Sequence, residues 1–129
     1  MSGYLNKVMI IGNVGKDPEL KYTLDGTPNC RFSVAVTSTY KDKEGNQQEN
    51  TEWFNVVAWG KLAETCGEYV FKGQKLYVEG RLQTRKWQTS DGETKYMTEL
   101  VAQAIQMLSF KPREAQEGEV EPAGEPEIE

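Results

Sequence analysis

Residues 75–87 follow a two-residue pattern for an unusually long stretch. Leu76, Val78, Gly80 and Leu82 occupy one set of alternate positions, and mostly polar and charged residues occupy the other. Successive side chains of a β-strand point to opposite faces, so a strand would separate these two sets. The stretch therefore predicts a long strand with one buried face.

Four further stretches predict strands, at residues 8–14, 32–38, 53–59 and 96–108. The first has apolar residues in both alternating sets, which predicts a strand covered on both faces. Between the second and third, residues 40–50 are polar and centre on Gly45-Asn46, which predicts a long hairpin loop. Ser90-Asp91-Gly92 predicts the turn of a second long hairpin.

Residues 61–72 are the only good helix candidate. Leu62, Cys66, Tyr69 and Val70 fall at helical spacing, and Gly73 is placed for a left-handed C-terminal cap. Five strands with one short helix between the third and fourth is the layout of an all-β, five-stranded OB-fold barrel. We predict this domain over residues 1–111.

The charge of the chain is divided between two regions. Of the 20 acidic residues, seven glutamates lie in 114–129, a stretch with no lysine or arginine. Residues 1–113 contain the remaining 13 acidic residues and all 15 basic residues. This body of the chain is therefore weakly positive, although the whole chain has a net charge of −5. Residues 112–129 have no apolar period, which predicts a disordered acidic tail. An acidic arm on a more basic body is common among nucleic-acid binders.

Several functional classes find no support in the sequence. Histidine is absent, and there is no phosphate-binding glycine loop and no nucleophile elbow, so we predict no enzyme, metal or cofactor. Cys30 and Cys66 are predicted to be buried thiols in a reducing compartment. No stretch is apolar enough to span a membrane, and no export signal is visible, which predicts a cytoplasmic protein.

The tryptophans carry the main functional hypothesis. Trp53 and Trp59 are six residues apart on one strand, so they project from the same face about 20 Å apart. Trp87 shares its predicted face with Arg81 and Arg85, and Tyr40 opens the first polar hairpin. Flat rings stack on bases of any sequence and cations bind the phosphate backbone, so this combination predicts a site for single-stranded nucleic acid.

The phosphate contacts are predicted at nine basic residues: Lys7, Lys21, Lys41, Lys43, Lys61, Lys72, Arg81, Arg85 and Lys86. Two alternatives stay open. The tryptophans could belong to the core, since large aromatics are usually well buried. The cations could lie at solvated strand and helix ends, with Trp87 in a simple cation–π pair.

Several long motifs resemble the bacterial single-stranded DNA-binding proteins. They are Asn6-Lys7-Val8, residues 11–20 (IGNVGKDPEL), Thr51-Glu52-Trp53-Phe54, residues 56–64 (VVAWGKLAE), Lys72-Gly73 and residues 78–87 (VEGRLQTRKW). The resemblance covers residues 4–108. It implies an OB-fold homotetramer around which DNA wraps, with bases stacked on Tyr40, Trp53, Trp59 and Trp87. It also implies protection of unwound DNA during replication, recombination and repair.

The chain departs from the family pattern at three places. Tyr40 stands where many members have tryptophan, and Trp59 where many have phenylalanine, so flat rings are kept. Phe54 replaces a histidine near subunit contacts. The tail ends with Glu125, Glu127, Ile128 and Glu129 but lacks the terminal phenylalanine of the family. These four residues are the candidate contacts to replication and repair proteins.

Two other functions remain as alternatives. The barrel could be a protein-interaction part of a replisome or primosome with weak affinity for DNA. It could also be an RNA-binding module of the cold-shock type, although that class would pack its aromatic motifs into short adjacent strands.

Overall fold

The computed structural model describes residues 3–110. Six strands and one helix follow each other along the chain: β1 (Val8–Val14), β2 (Glu19–Tyr22), β3 (Pro28–Lys41), β4 (Gln47–Trp59), α1 (Lys61–Tyr69), β5 (Lys75–Gln88) and β6 (Thr94–Met107). The candidate partner-binding residues of the tail, Glu125, Glu127, Ile128 and Glu129, lie outside the described part of the chain.

Five of these strands close into a barrel. β1 pairs antiparallel with β5 on one side and with β3 on the other, and β3–β4 and β5–β6 are antiparallel hairpins. The circuit closes where β4 and β6 run parallel over two residue pairs, Val56 with Leu100 and Val57 with Val101. The predicted five-stranded OB-like barrel is confirmed.

The sixth strand, β2, was not predicted. It pairs only with the start of β3, from Glu19 opposite Arg31 to Tyr22 opposite Pro28, and so adds an edge to the barrel. Its four residues alternate between polar and apolar, but all four are exposed, so no buried face marks this short strand. Because β2 precedes β3, the predicted helix lies between the fourth and fifth strands in chain order.

The core consists of the apolar side chains that occupy alternate positions along the strands and point into the barrel. Val34, Val56, Val78, Leu76 and Leu100 are at most 1% exposed and fill the barrel. α1 covers one end, where Ala63 and Cys66 are fully buried.

The two cysteines are free and fully buried, as the sequence predicted. Burial raises the pKa of Cys30 to about 11 and that of Cys66 to about 12, and the nearby Cys30 adds to the shift at Cys66. Both thiols are therefore protonated and unreactive near neutral pH.

Two glycines allow strands to cross closely. A Cβ atom built at Gly80 would lie 2.0 Å from the carbonyl oxygen of Val101, and one at Gly12 would lie 2.3 Å from that of Ala35. The register of the β5–β6 pair shifts by one residue between Glu79 and Gly80. Gly80 therefore belongs to a point where β5 bends tightly against β6.

Both long hairpins extend beyond the barrel as two-stranded ribbons. Residues 37–41 pair with 47–51, and residues 83–88 pair with 94–99. We call residues 37–51 the first arm and residues 83–98 the second arm. The prediction of a long loop at 40–50 was wrong, because strand pairing continues to Lys41 and resumes at Gln47, leaving a short turn.

Two further expectations need correction. Met9 and Ile11 are 63% and 52% exposed, so the outer face of β1 is open in the single chain rather than covered. Gly73 has the predicted positive φ, 88°, but the helix ends at Tyr69 with an extended Val70. Gly73 therefore shapes the loop before β5 and does not cap the helix.

Candidate nucleic-acid interface

The outer face of β3 and β4 carries two exposed tryptophans, and we call it the tryptophan face. Trp53 lies opposite Ala35, and Trp59 lies opposite Asn29. Their side chains are 59% and 42% exposed, while Phe54, Val56 and Ala58 on the other face turn toward the barrel core. In the single chain neither tryptophan belongs to the core, which favours the predicted role on the surface.

The indole of Trp53 lies against the backbone just after β1. A Cβ atom at Gly15 would approach Cζ3 of this ring to 2.6 Å and the Ser33 hydroxyl oxygen to 2.7 Å. Because Gly15 has no side chain, the Trp53 ring can pack directly against its backbone. The sequence analysis assigned only turn chemistry to this glycine.

Trp87 lies on the second arm beside Arg85, as the alternation predicted. The guanidinium carbon of Arg85 is 4.6 Å from the centroid of the Trp87 ring, which is a cation–π contact. Trp87 remains 36% exposed, so its ring is accessible to a ligand. Arg81 shares this face and donates a hydrogen bond from Nη1 to Gln83 at 3.0 Å.

Tyr40 lies near the tip of the first arm. It pairs with Gln48 and is 56% exposed. It is five positions from Ala35, the partner of Trp53, so it falls on the opposite side of the β3–β4 ribbon. The structure therefore does not place Tyr40 on the tryptophan face.

The predicted cations are scattered over several elements. Lys7 forms an ion pair with Glu79 at 2.6 Å on the β1–β5 face, and Lys21 lies 3.8 Å from Glu19 on β2. Six others form no ion pair with any described residue: Lys41, Lys43, Lys61, Lys72, Arg81 and Lys86. Lys61 begins α1 two residues after Trp59, which keeps a free cation close to the tryptophan face.

A recess of about 230 Å³ lies on the outer surface of the barrel at the base of the second arm. Its walls include Arg31, Asn55, Arg85 and Met97. Glu99 also lines the recess, although it is only 2% exposed. Within residues 3–110, no group of three or more acidic, cysteine or histidine residues is arranged to hold a metal ion.

The sequence analysis missed Arg31 and Glu99. Arg31 lies on β3 opposite Val57, hence on the tryptophan face, and extending the alternation of residues 32–38 by one position would have found it. Glu99 could not have been found in this way, because its neighbours come from β3 and from β5. Its role depends on closure of the barrel.

The segment that the structure describes has no helix long and apolar enough to cross a membrane.

Comparison with known proteins identifies the family. The profile of the Single-strand binding protein family matches residues 5–108. The chain is 49% identical over 112 residues to Single-stranded DNA-binding protein 1 of Chlorobaculum tepidum, covering 86% of this chain and 69% of that protein. It is 50% identical over 108 residues to Single-stranded DNA-binding protein 1 of Xylella fastidiosa, covering 83% and 79%.

Solved structures share the barrel. The Plasmodium falciparum SSB in complex with ssDNA superposes with a TM-score of 0.76 at 30% identity, covering 84% of this chain and 99% of that one. A single-stranded DNA binding protein from Thermus aquaticus gives a TM-score of 0.71 at 30% identity, covering 81% and 51%. The profile match, the identity to the relatives and the shared fold together show that this chain belongs to the single-strand binding protein family.

Proposed function

We propose that the chain binds and protects single-stranded DNA without strong sequence preference during replication, recombination and repair. The observation that carries this proposal is the exposed tryptophan face, where Trp53 and Trp59 flank a recess walled by two arginines. The printed names of the relatives and the complex of the Plasmodium falciparum protein with ssDNA support the same conclusion.

Base stacking and phosphate contacts would make separate contributions to the affinity for DNA. Each base stacked on an aromatic ring contributes about 1–3 kcal/mol whatever its identity, so Trp53, Trp59, Trp87 and Tyr40 would bind without reading sequence. The unpaired cations would neutralise phosphates and draw the strand to the protein. Such a protein is not an enzyme, as the family membership of the chain also indicates. We place it in the cytoplasm, associated with DNA.

Titration of tryptophan fluorescence with oligothymidine tests this function. We expect strong, saturable quenching, because stacked bases quench indole emission. The logarithm of the affinity should fall linearly with the logarithm of salt concentration, with a slope of about −0.7 for each neutralised phosphate. Absence of quenching at low salt would reject DNA stacking and would favour a barrel that binds proteins instead.

Competition between DNA and RNA of the same length and composition separates the remaining alternative. Our proposal expects oligothymidine to displace oligouridine at equal concentration. Preferential binding of the RNA would assign the barrel to the RNA-binding class.

We also propose that four chains assemble into a homotetramer. In support, Met9 and Ile11 form an exposed apolar strip on the outer face of β1, and surfaces of this kind commonly mark contacts between proteins. Beside the strip, Glu79 accepts hydrogen bonds from Lys7 and from the hydroxyl of Tyr77, which lower the pKa of its carboxyl group. Lys7 and Glu79, which lie next to the strip, are thus paired with each other within the chain.

Light scattering gives the mass of the assembly. The unmodified protein should have the mass of four chains of 14.6 kDa each, and Ile11→Asp should reduce it because the substitution places a charge on the apolar strip. Leu24→Asp is the matched control, since Leu24 is fully exposed in the turn after β2. A monomeric unmodified protein, or an unchanged mass for Ile11→Asp, would contradict the proposed assembly.

A further inference from the structure

Glu99 is a buried carboxylate on the outer side of the barrel. It is 2% exposed, and its Oε2 atom lies 3.0 Å from Nε of Arg31 and 3.4 Å from Nε of Arg85. The Arg31 contact is a hydrogen bond. One carboxylate oxygen therefore connects β3 to the base of the second arm.

Each of these arginines also contacts a tryptophan. The guanidinium carbon of Arg31 is 6.0 Å from the ring centroid of Trp59, and that of Arg85 is 4.6 Å from the centroid of Trp87. Asn29, the cross-strand partner of Trp59, accepts a hydrogen bond from Nη1 of Arg31 at 2.9 Å. A chain of contacts thus runs from Trp59 through Arg31, Glu99 and Arg85 to Trp87.

Stability alone does not explain a carboxylate at this position. Burying a charged pair costs desolvation, and apolar residues of similar size are often as stabilising or more so. Glu99 also adds a negative charge to a recess that already has Asp17 and Glu19 beside its three basic residues, and this charge opposes binding of a polyanion. The two arginines leave the cluster with one net positive charge and are each about one third exposed, so they remain accessible to a phosphate.

We propose that Glu99 is a positioning residue that fixes Arg31 and Arg85, and through them the separation of Trp59 and Trp87, before DNA arrives. This inference rests on the proposed function, because the rings are positioned for bases. Rings that are already in place need not be ordered on binding, so less of the stacking free energy is lost.

The substitution Glu99→Gln distinguishes positioning from simple electrostatics, because the two predict opposite signs. Removing a negative charge beside the recess should strengthen DNA binding if charge alone matters. Loss of positioning should instead weaken it. We expect at least about fivefold weaker binding of oligothymidine and a smaller maximal quenching, corresponding to the loss of one stacking contact of about 1 kcal/mol.

Two variants complete the binding experiment. Glu49→Gln removes the same charge from an exposed position on the first arm and should bind as tightly as the unmodified protein or more tightly. Glu99→Asp keeps the charge but withdraws it by about 1.5 Å, the length of one carbon–carbon bond. It should lower the maximal quenching without changing the salt dependence, and it serves as the test if Glu99→Gln does not fold.

A measurement without DNA tests the inference independently of the proposed function. The indole N–H signals of the three tryptophans are compared by two-dimensional NMR in the unmodified protein and the Glu99 variants. We expect the signals of Trp59 and Trp87 to shift, while that of Trp53, whose ring makes no cation–π contact with either arginine, stays in place. The inference is overturned if all three signals are unmoved, or if Glu99→Gln binds DNA like Glu49→Gln. An unmodified protein that does not bind DNA would reject the proposed function, and the NMR result would still decide the role of Glu99.

Discussion

Trp53→Ala should weaken the binding of every single-stranded DNA sequence by about 5- to 140-fold, the equivalent of about 1–3 kcal/mol for one lost base stack. The ring is 59% exposed and lies against Gly15, so it is held in one place while its face stays open. Affinities for homopolymers of thymine, cytosine and adenine, measured at one salt concentration, give the size of the loss.

The expected loss is uniform across sequences, since stacking does not read base edges. Tyr69→Ala is the matched control, because Tyr69 is 56% exposed but lies on α1, away from the tryptophan face; its affinity should be unchanged. Trp53→Phe keeps a flat ring and should recover much of the loss. If only one homopolymer bound more weakly, the ring would be reading sequence and the stacking mechanism would be wrong.

Gly80→Ala should destabilise the barrel by about 3 kcal/mol or more, because overpacking of a core commonly costs 1–3 kcal/mol and the added methyl group here meets backbone. Its Cβ atom would be 2.0 Å from the carbonyl oxygen of Val101 and 2.8 Å from Cδ2 of Leu100. Relief requires β5 and β6 to separate at a register shift. A melt followed by circular dichroism should show a midpoint lower by about 15 °C.

Gly67→Ala provides the comparison for this substitution. The three atoms nearest to its Cβ atom would all belong to the side chain of Leu20, at 3.0 Å or more, and alanine is favoured over glycine inside a helix by about 1 kcal/mol. The melting midpoint should therefore stay the same or rise. Equal midpoints for the two variants would show that β5 and β6 adjust freely around Gly80.

The five barrel strands and their order along the chain could be predicted from alternation, because each buried strand repeats an apolar residue at every second position. β2 has only four residues, all exposed, and is held by pairing with β3 and by the contact of Leu20 with α1 at Gly67. The first arm was predicted as a loop because its residues are polar on both faces. In such a ribbon the hydrogen bonds between the strands maintain the structure, and hydrophobicity gives no indication of them.

The candidate site could also be predicted only in part from the sequence. The spacing of Trp53 and Trp59 placed them on one face, and the structure agrees. Which basic residues form ion pairs could not be predicted from the sequence. The pairing of Lys7 with Glu79, for example, depends on β1 lying beside β5. Glu99 was missed for the same reason.

The parallel contact between β4 and β6 consists of only two residue pairs, as does the antiparallel contact between β1 and β3. Beyond the β4–β6 contact the two arms form their backbone hydrogen bonds internally, so a change in the angle between them breaks none of these bonds. The pairing inside each arm therefore does not fix how the arms lie relative to each other, and the contacts of Glu99 with Arg31 and Arg85 at their base are what would hold them. Tolerance of different sequences would then come from the DNA, because a flexible single strand can rotate its larger and smaller bases onto rings that stay in place.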